Sequence, residues 1–144
     1  MKNFITILLL LLTSQVRGQD KFIAHRESFD IYLVDNSIKS VDYGSYSQAW
    51  FKMMPTKGKE AQFKNAEIAN RKKGGLSIKG FQSYAYSMIL IKSNCRNNQM
   101  ATIEAIYYST NGDIIDSHKT PYDEWDNVVP NSLGEALNNT ICNN

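Results

Sequence analysis

Several features are scarce or missing in this chain of 144 residues. Only two cysteines, Cys95 and Cys142, and three prolines occur. No apolar run approaches the roughly 20 residues that a membrane-spanning helix needs, so no transmembrane segment is predicted. The 16 basic and 14 acidic side chains nearly cancel, which removes the general electrostatic argument for nucleic-acid binding. These absences exclude membrane-spanning and nucleic-acid-binding classes without identifying a function.

Residues 1–19 have the pattern of a secretory signal peptide. Lys2 is followed by about nine apolar residues ending at Leu12, and the residues around Gly18 favour cleavage near Gly18 or Gln19. No cysteine follows the apolar run, so we expect no lipid anchor on an N-terminal cysteine. Lys2 and Arg17 leave with the signal, and the remaining chain is then electrically neutral. We therefore expect an exported protein, periplasmic, outer-surface or secreted, with residues 20–144 as a single domain.

The first half of that domain contains two predicted strands and one irregular stretch. Residues 20–28 are interpreted as a loose lead-in. Alternating apolar side chains predict strands over 29–34 and 46–54, with Pro55 ending the second. Residues 57–80 contain good helix formers with only a weak apolar stripe, and Gly74-Gly75 would end any helix. This stretch is predicted to be either a short surface helix or a long mobile loop.

The same region is unusually basic. Residues 52–79 carry eight cationic side chains and two acidic ones. Such a segment could bind heparin-like polyanions or lipopolysaccharide, and an ordinary solvated loop is the simpler alternative. The candidate polyanion-binding or partner-binding residues are Lys64, Arg71, Lys72, Lys73 and Lys79.

The second half predicts an antiparallel meander from Phe81 to about His118. Residues 81–92 alternate with apolar side chains on both faces, which is typical of a central strand. A reversal at Asn97-Asn98 leads into a strand over 100–108. Asn111-Gly112 between alternating runs favours a two-residue type I′ hairpin turn.

A C-terminal helix follows the meander. Ser132 and Glu135 have capping-box spacing, and an apolar stripe runs to the last turn, where Cys142 lies. Because the only two cysteines belong to an exported chain, a Cys95–Cys142 disulfide is the economical interpretation. The predicted fold class is α+β: a small antiparallel sheet of about five to six strands, with a C-terminal helix tied to it by the disulfide.

Residues 88–142 also carry a recognisable series of cysteines, aromatic residues and turn residues. In chain order these are Cys95, the pair Tyr107-Tyr108 before the Asn-Gly turn, Trp125, the segment 128–132 (VVPNS), the segment 134–137 (GEAL) and Cys142. The series resembles the surface-adhesin protein E-like domain of Gram-negative bacteria. The resemblance implies the same disulfide-tied fold, exposure on the cell envelope, and binding of host matrix or serum proteins such as laminin, vitronectin and plasminogen. It also implies structural roles for Trp125, Pro130, Ser132 and Gly134.

No constellation of residues indicates catalysis. Both cysteines are expected in the disulfide, so no cysteine remains to act as a nucleophile. Asp116 and His118 are close enough in sequence to suggest a metal site, but acidic hairpin ends give the same pattern more often, so we expect no metal and no cofactor. Tyrosines at 84, 86, 107 and 108 should cluster, mainly in the core, and an exposed subset would form an adhesive or dimer surface.

The function expected from the sequence is that of an exported, non-catalytic, adhesin-like binding protein. Host matrix or serum proteins and polyanionic glycans are its candidate partners. The alternative is a periplasmic module that binds a small ligand or assists another envelope protein.

Overall fold

An eight-stranded antiparallel sheet forms the body of residues 19–143, the part of the chain that the computed structural model describes. Six strands follow the order β1-β2-β4-β5-β6-β7, while the short β3 pairs with β4 and the short β8 pairs with β6. The predicted signal peptide lies outside the described residues, apart from Gln19. The strands are β1 (Lys21–His25), β2 (Phe29–Leu33), β3 (Lys39–Val41), β4 (Tyr46–Pro55), β5 (Tyr84–Asn94), β6 (Gln99–Ser109), β7 (Ile114–Lys119) and β8 (Asp126–Asn127).

Two helices, α1 (Glu60–Lys73) and α2 (Leu133–Cys142), cover one face of this sheet. Phe63 of α1 stacks on Tyr84 with ring centroids 5.2 Å apart. Leu137 and Ile141 of α2 pack on the buried side chains of β2, β4 and β5, which are Ile31, Leu33, Ala49, Phe51 and Ile91. The predicted α+β class is confirmed, and of the two alternatives for residues 57–80 the helix is observed.

The predicted disulfide joins Cys95 to Cys142. Cys95 lies in the turn after β5 and Cys142 is the last residue of α2, so the bond fixes the end of the helix against the end of the central strand. The close helix–sheet contact expected at Gly134 is also present, since a Cβ there would lie 3.1 Å from Met100 Sδ. A larger residue at 134 would push α2 away from β6.

The N-terminus of α2 is capped as predicted. The Ser132 hydroxyl accepts a hydrogen bond from the Glu135 N–H at 3.2 Å. The Glu135 carboxylate reaches back to the N–H of Asn131 at 2.8 Å. Two N–H groups near the start of the helix therefore have side-chain partners, which the first turn cannot supply from its own backbone.

Helix α1 is held by Arg71, whose side chain is buried. The guanidinium lies over the Phe81 ring at 4.1 Å and the Tyr107 ring at 5.1 Å. Its Nε donates to the Ser77 carbonyl oxygen at 2.7 Å, and a terminal nitrogen is ion-paired with Asp116 of β7. Arg71 therefore joins α1 to the following loop and to the sheet edge.

Two sequence predictions about element boundaries are wrong. The supposed lead-in over 20–28 contains β1, which pairs with β2 and forms one edge of the sheet. The strand predicted from Phe81 begins at Tyr84, after a 3₁₀ turn over Phe81–Ser83. Strand β1 is formed by a short hairpin with β2, closed by backbone hydrogen bonds between Arg26 and Phe29.

The Asn111-Gly112 hairpin forms, but the type I′ turn predicted for it is wrong. That turn needs positive φ at both central residues, and within the described chain only Gly112 has it here, at +84°. The Ser109 hydroxyl accepts backbone hydrogen bonds from the N–H groups of Asn111 and Asp113, which favours a wider loop. The strand register shifts by one residue beside this loop.

We predict that removing the disulfide costs about 4 kcal/mol of unfolding free energy, because the bond closes a loop of 47 residues in the unfolded chain. The change is Cys95→Ala with Cys142→Ala, measured by urea denaturation. Mass spectrometry of the unmodified protein should show no free thiol. Two alkylatable thiols in native protein would contradict the bridge.

We predict that Ser132→Ala lowers the unfolding free energy by about 0.5–2 kcal/mol, because it removes the oxygen that caps the Glu135 N–H. Ser132→Asp is the control, since aspartate also caps helices and should retain most of the stability. Equal melting temperatures for wild type, the alanine variant and the aspartate variant would show that the cap contributes nothing.

Candidate functional site

Within residues 19–143, neither helix covers the face of the sheet opposite α1 and α2. Strand pairing places alternate residues of β2, β4, β5 and β6 there: Tyr32 is opposite Lys52, Trp50 is opposite Leu90, and Met88 is opposite Ile106. We call this surface the open face. Leu90 is buried and the other members are half-buried; the members are Tyr32, Trp50, Lys52, Met54, Tyr86, Met88, Leu90, Ile106 and Tyr108.

The four tyrosines expected to cluster are divided between the two faces. Tyr84 and Tyr107 belong to the core, with ring centroids 6.0 Å apart. A register shift between Tyr84 and Tyr86 breaks the alternation of β5 and places Tyr86 on the open face beside Tyr108. In place of one predicted cluster there are therefore two separate pairs, one in the core and one half-buried on the open face.

The open-face pair is closely stacked. The rings of Tyr86 and Tyr108 have centroids 4.7 Å apart and planes 9° apart. Partial burial, followed by the neighbouring Tyr108, raises the pKa of Tyr86 above its ordinary value, so the phenol stays protonated at neutral pH. Lys52 Nζ lies 4.7 Å from the centre of the Tyr86 ring. We call this stack of two tyrosine rings, with the Lys52 ammonium over the Tyr86 ring, the aromatic platform.

A cleft lies beside this platform. It has a volume of about 550 Å³, and Tyr32, Met54 and Tyr86 contribute apolar surface to its lining. Asp30 and Glu60 contribute carboxylates to the same cleft. Its size is within the range of small-molecule sites, and its mixed lining suits an amphipathic group.

The basic residues predicted as a polyanion site do not form one surface. Lys72, Lys73 and Lys79 are exposed at the C-terminal end of α1 and in the loop that follows. Lys64 Nζ donates to the Gln82 carbonyl oxygen at 3.0 Å. The expectation that Arg71 sits on an exposed loop is wrong, because that side chain is buried and ion-paired with Asp116.

Two carboxylates near the residues considered for a metal site are engaged in ion pairs. Asp116 is paired with Arg71, and Asp123 is paired with Lys92. Across residues 19–143 no group of three or more His, Cys, Asp or Glu side chains is arranged to hold a metal ion. In the same range no helix is long and apolar enough to cross a membrane.

Sequence reasoning missed Tyr32, Trp50 and Lys52 as parts of one surface. Each lies at an alternate position of a predicted strand, so alternation could have placed each on a face. It could not show which face the helices would cover, because β4 and β5 are apolar on both sides.

Comparison with known proteins identifies the relatives of this fold. No curated protein shows significant sequence similarity to the chain. The structure is similar to crystal form II of Haemophilus influenzae protein E, with a TM-score of 0.49 and 10% identity, over 84% of this chain and 91% of that chain. A family model described as surface-adhesin protein E matches residues 21–143, and the chain therefore belongs to the surface-adhesin protein E family.

Proposed function

We propose that this protein is exported and acts as a non-catalytic, adhesin-like binding protein that recognises host matrix or serum proteins. Membership of a family of surface adhesins implies exposure at the cell envelope, and the signal-like pattern of residues 1–19 supports export. The observation that carries the proposal is the open face, where an aromatic platform lies on a sheet surface that neither helix of the described chain covers.

The open face has the chemistry of a protein-binding surface. Tyrosine and tryptophan are enriched at residues that dominate binding energy, because they bury large areas at little entropic cost and retain a polar group. Tyr86 and Tyr108 are already stacked, so a partner need not order them. Lys52 and the cleft carboxylates place charges around this apolar centre, and these charges would orient a bound partner.

A specific observation favours the alternative of a small-ligand module. The cleft beside Tyr86 is large enough for a small molecule and contains both apolar surface and carboxylates. In this alternative the protein remains in the periplasm. Cell fractionation with protease protection distinguishes the two proposals, since a strictly periplasmic protein cannot contact a host.

Polyanion binding is a second proposal for the exposed lysines. Lys72 and Lys73 end α1, where cations also complement the helix dipole. Lys57 and Lys59 lie at the other end, about 20 Å away at 1.5 Å of rise per residue. The lysines therefore form two separate groups, and the group at 72, 73 and 79 is the denser one.

We predict that the double change Tyr86→Ala and Tyr108→Ala weakens binding to immobilised laminin, vitronectin or plasminogen at least about tenfold, because it removes the platform. Surface plasmon resonance measures the affinity. Leu76→Ala, which truncates an exposed side chain in the loop after α1, is the control and should bind as wild type does. Binding that is absent from all three ligands, or unchanged in the tyrosine variant, would contradict the proposal.

We predict that Lys72→Ser with Lys73→Ser lowers the salt concentration needed for elution from heparin. The attraction is screened as the Debye length falls from about 10 Å at 0.1 M salt to about 3 Å at 1 M. The matched control is Lys57→Ser with Lys59→Ser, which removes the same charge at the other end of α1. Equal shifts for both variants would mean that heparin responds to net charge alone. Arg71 is left unchanged, because its loss would break a buried ion pair.

A further inference from the structure

One end of the open face is organised by a single lysine. The Lys92 ammonium is ion-paired with Asp42, at the tip of the β3–β4 hairpin, and with Asp123 at 2.8 Å, in the segment between β7 and β8. Burial alone would lower the pKa of Lys92, but the hydrogen bonds that its ammonium donates to the Asp123 and Asp42 carboxylates raise it above its ordinary value. The ammonium links the two loops through these two ion pairs.

An aromatic contact joins the same two loops. Tyr46, at the start of β4, packs against Trp125 with ring centroids 5.0 Å apart. Lys92 Nζ lies 4.8 Å from the centre of the Tyr46 ring. Two independent contacts therefore hold the loops in one arrangement.

The cross-linked loops present two exposed tyrosines. Tyr43 is 111% exposed, and its backbone is left-handed, with φ of 55° between Asp42 at 51° and Gly44 at 84°. A bulky residue in this region of φ is disfavoured and persists only where its surroundings enforce it. Tyr122 is 67% exposed and precedes Asp123. Because Asp42 and Asp123 meet at one ammonium, the backbone positions that carry the two tyrosines lie near each other.

Acidic side chains adjoin both tyrosines in the chain. Glu124 and Asp126 are exposed, and the Asp42 side chain keeps 53% of its surface accessible despite its ion pair. Arg96, in the turn after β5 near Tyr46, and Lys39 and Lys119, at the start of β3 and the end of β7, are exposed cations on the adjoining segments. Lys92 is already engaged by two carboxylates. Protonated amines and guanidinium groups are attracted both to tyrosine faces and to carboxylates.

We propose that the Tyr43–Tyr122 surface docks a lysine- or arginine-rich segment of a partner protein. The tyrosine rings receive the cationic side chains, and the surrounding carboxylates pair with those that lie beside the rings. Because the loops are already cross-linked, they lose little conformational entropy when a partner binds. This surface lies at the other end of the open face from the Tyr86–Tyr108 platform, and it does not depend on the function proposed for that platform.

The test uses two synthetic peptides of equal length, one arginine-rich and one glutamate-rich. Trp50→Phe is introduced as the background, so that fluorescence comes from Trp125, which lies beside the surface. The arginine-rich peptide should change the fluorescence saturably and the glutamate-rich peptide should not. Tyr43→Ser with Tyr122→Ser should weaken the arginine-rich peptide at least about fivefold. Glu124→Gln with Asp126→Asn should also weaken it, and more strongly at low salt.

The open-face variant Tyr86→Ala with Tyr108→Ala is the matched control and should bind the arginine-rich peptide as the background protein does. Loss of matrix-protein binding with retained peptide binding would thus overturn only the open-face proposal. The Tyr43–Tyr122 proposal is overturned if the arginine-rich peptide does not bind. It is also overturned if Glu124→Gln with Asp126→Asn weakens the binding while Tyr43→Ser with Tyr122→Ser does not. The protein could instead self-associate through this surface. If it self-associates and Lys72→Ser with Lys73→Ser abolishes the self-association, the partner is a second copy of this chain and the proposal is overturned.

Discussion

The disulfide between Cys95 and Cys142 is the constraint on which the helical layer depends. Helix α2 has ten residues, and isolated helices shorter than about 12–15 residues are marginal in water. The bond holds the last turn against the end of β5, so Leu137 and Ile141 stay packed on Phe51 and its neighbours. Helix α1 has no such bond and is held instead by a buried guanidinium. Because both anchors act on the same face, neither helix of the described chain covers the other face, and only loop segments lie over one end of it.

Local signals were sufficient for much of this fold. Alternation located β2, β4 and the meander, the Ser132–Glu135 spacing located the start of α2, and the cysteine count indicated the bridge. Strand β1 has no comparable alternation, and its place in the sheet is defined by a short hairpin with β2. Arg71 shows the same limit, because the local sequence at the end of a basic helix does not indicate whether an arginine faces solvent or packs on two aromatic rings.

The binding surfaces could be predicted only in part, for a related reason. Tyr84 and Tyr86 are two residues apart and should share a face, but the register shift in β5 separates them. One joins the core with Phe63 and Phe81, and the other stacks on Tyr108 in the open. Neither outcome follows from residue type, because tyrosine suits both environments. The backbone irregularity, which has no distinct sequence signal here, decides which tyrosines are available to a partner.

The disulfide also matters for how the domain carries tension. A force applied between β1 and Cys142 passes through the sulfur–sulfur bond, so the chain between the two cysteines, which are separated by 47 positions, bears no load. At about 3.4 Å per extended residue, roughly 160 Å of chain cannot be drawn out. That sheltered loop contains β6, β7 and the segment with Tyr122 and Trp125. Under shear, the N-terminal strands would yield first, while half of each binding surface would remain inside a covalently closed ring.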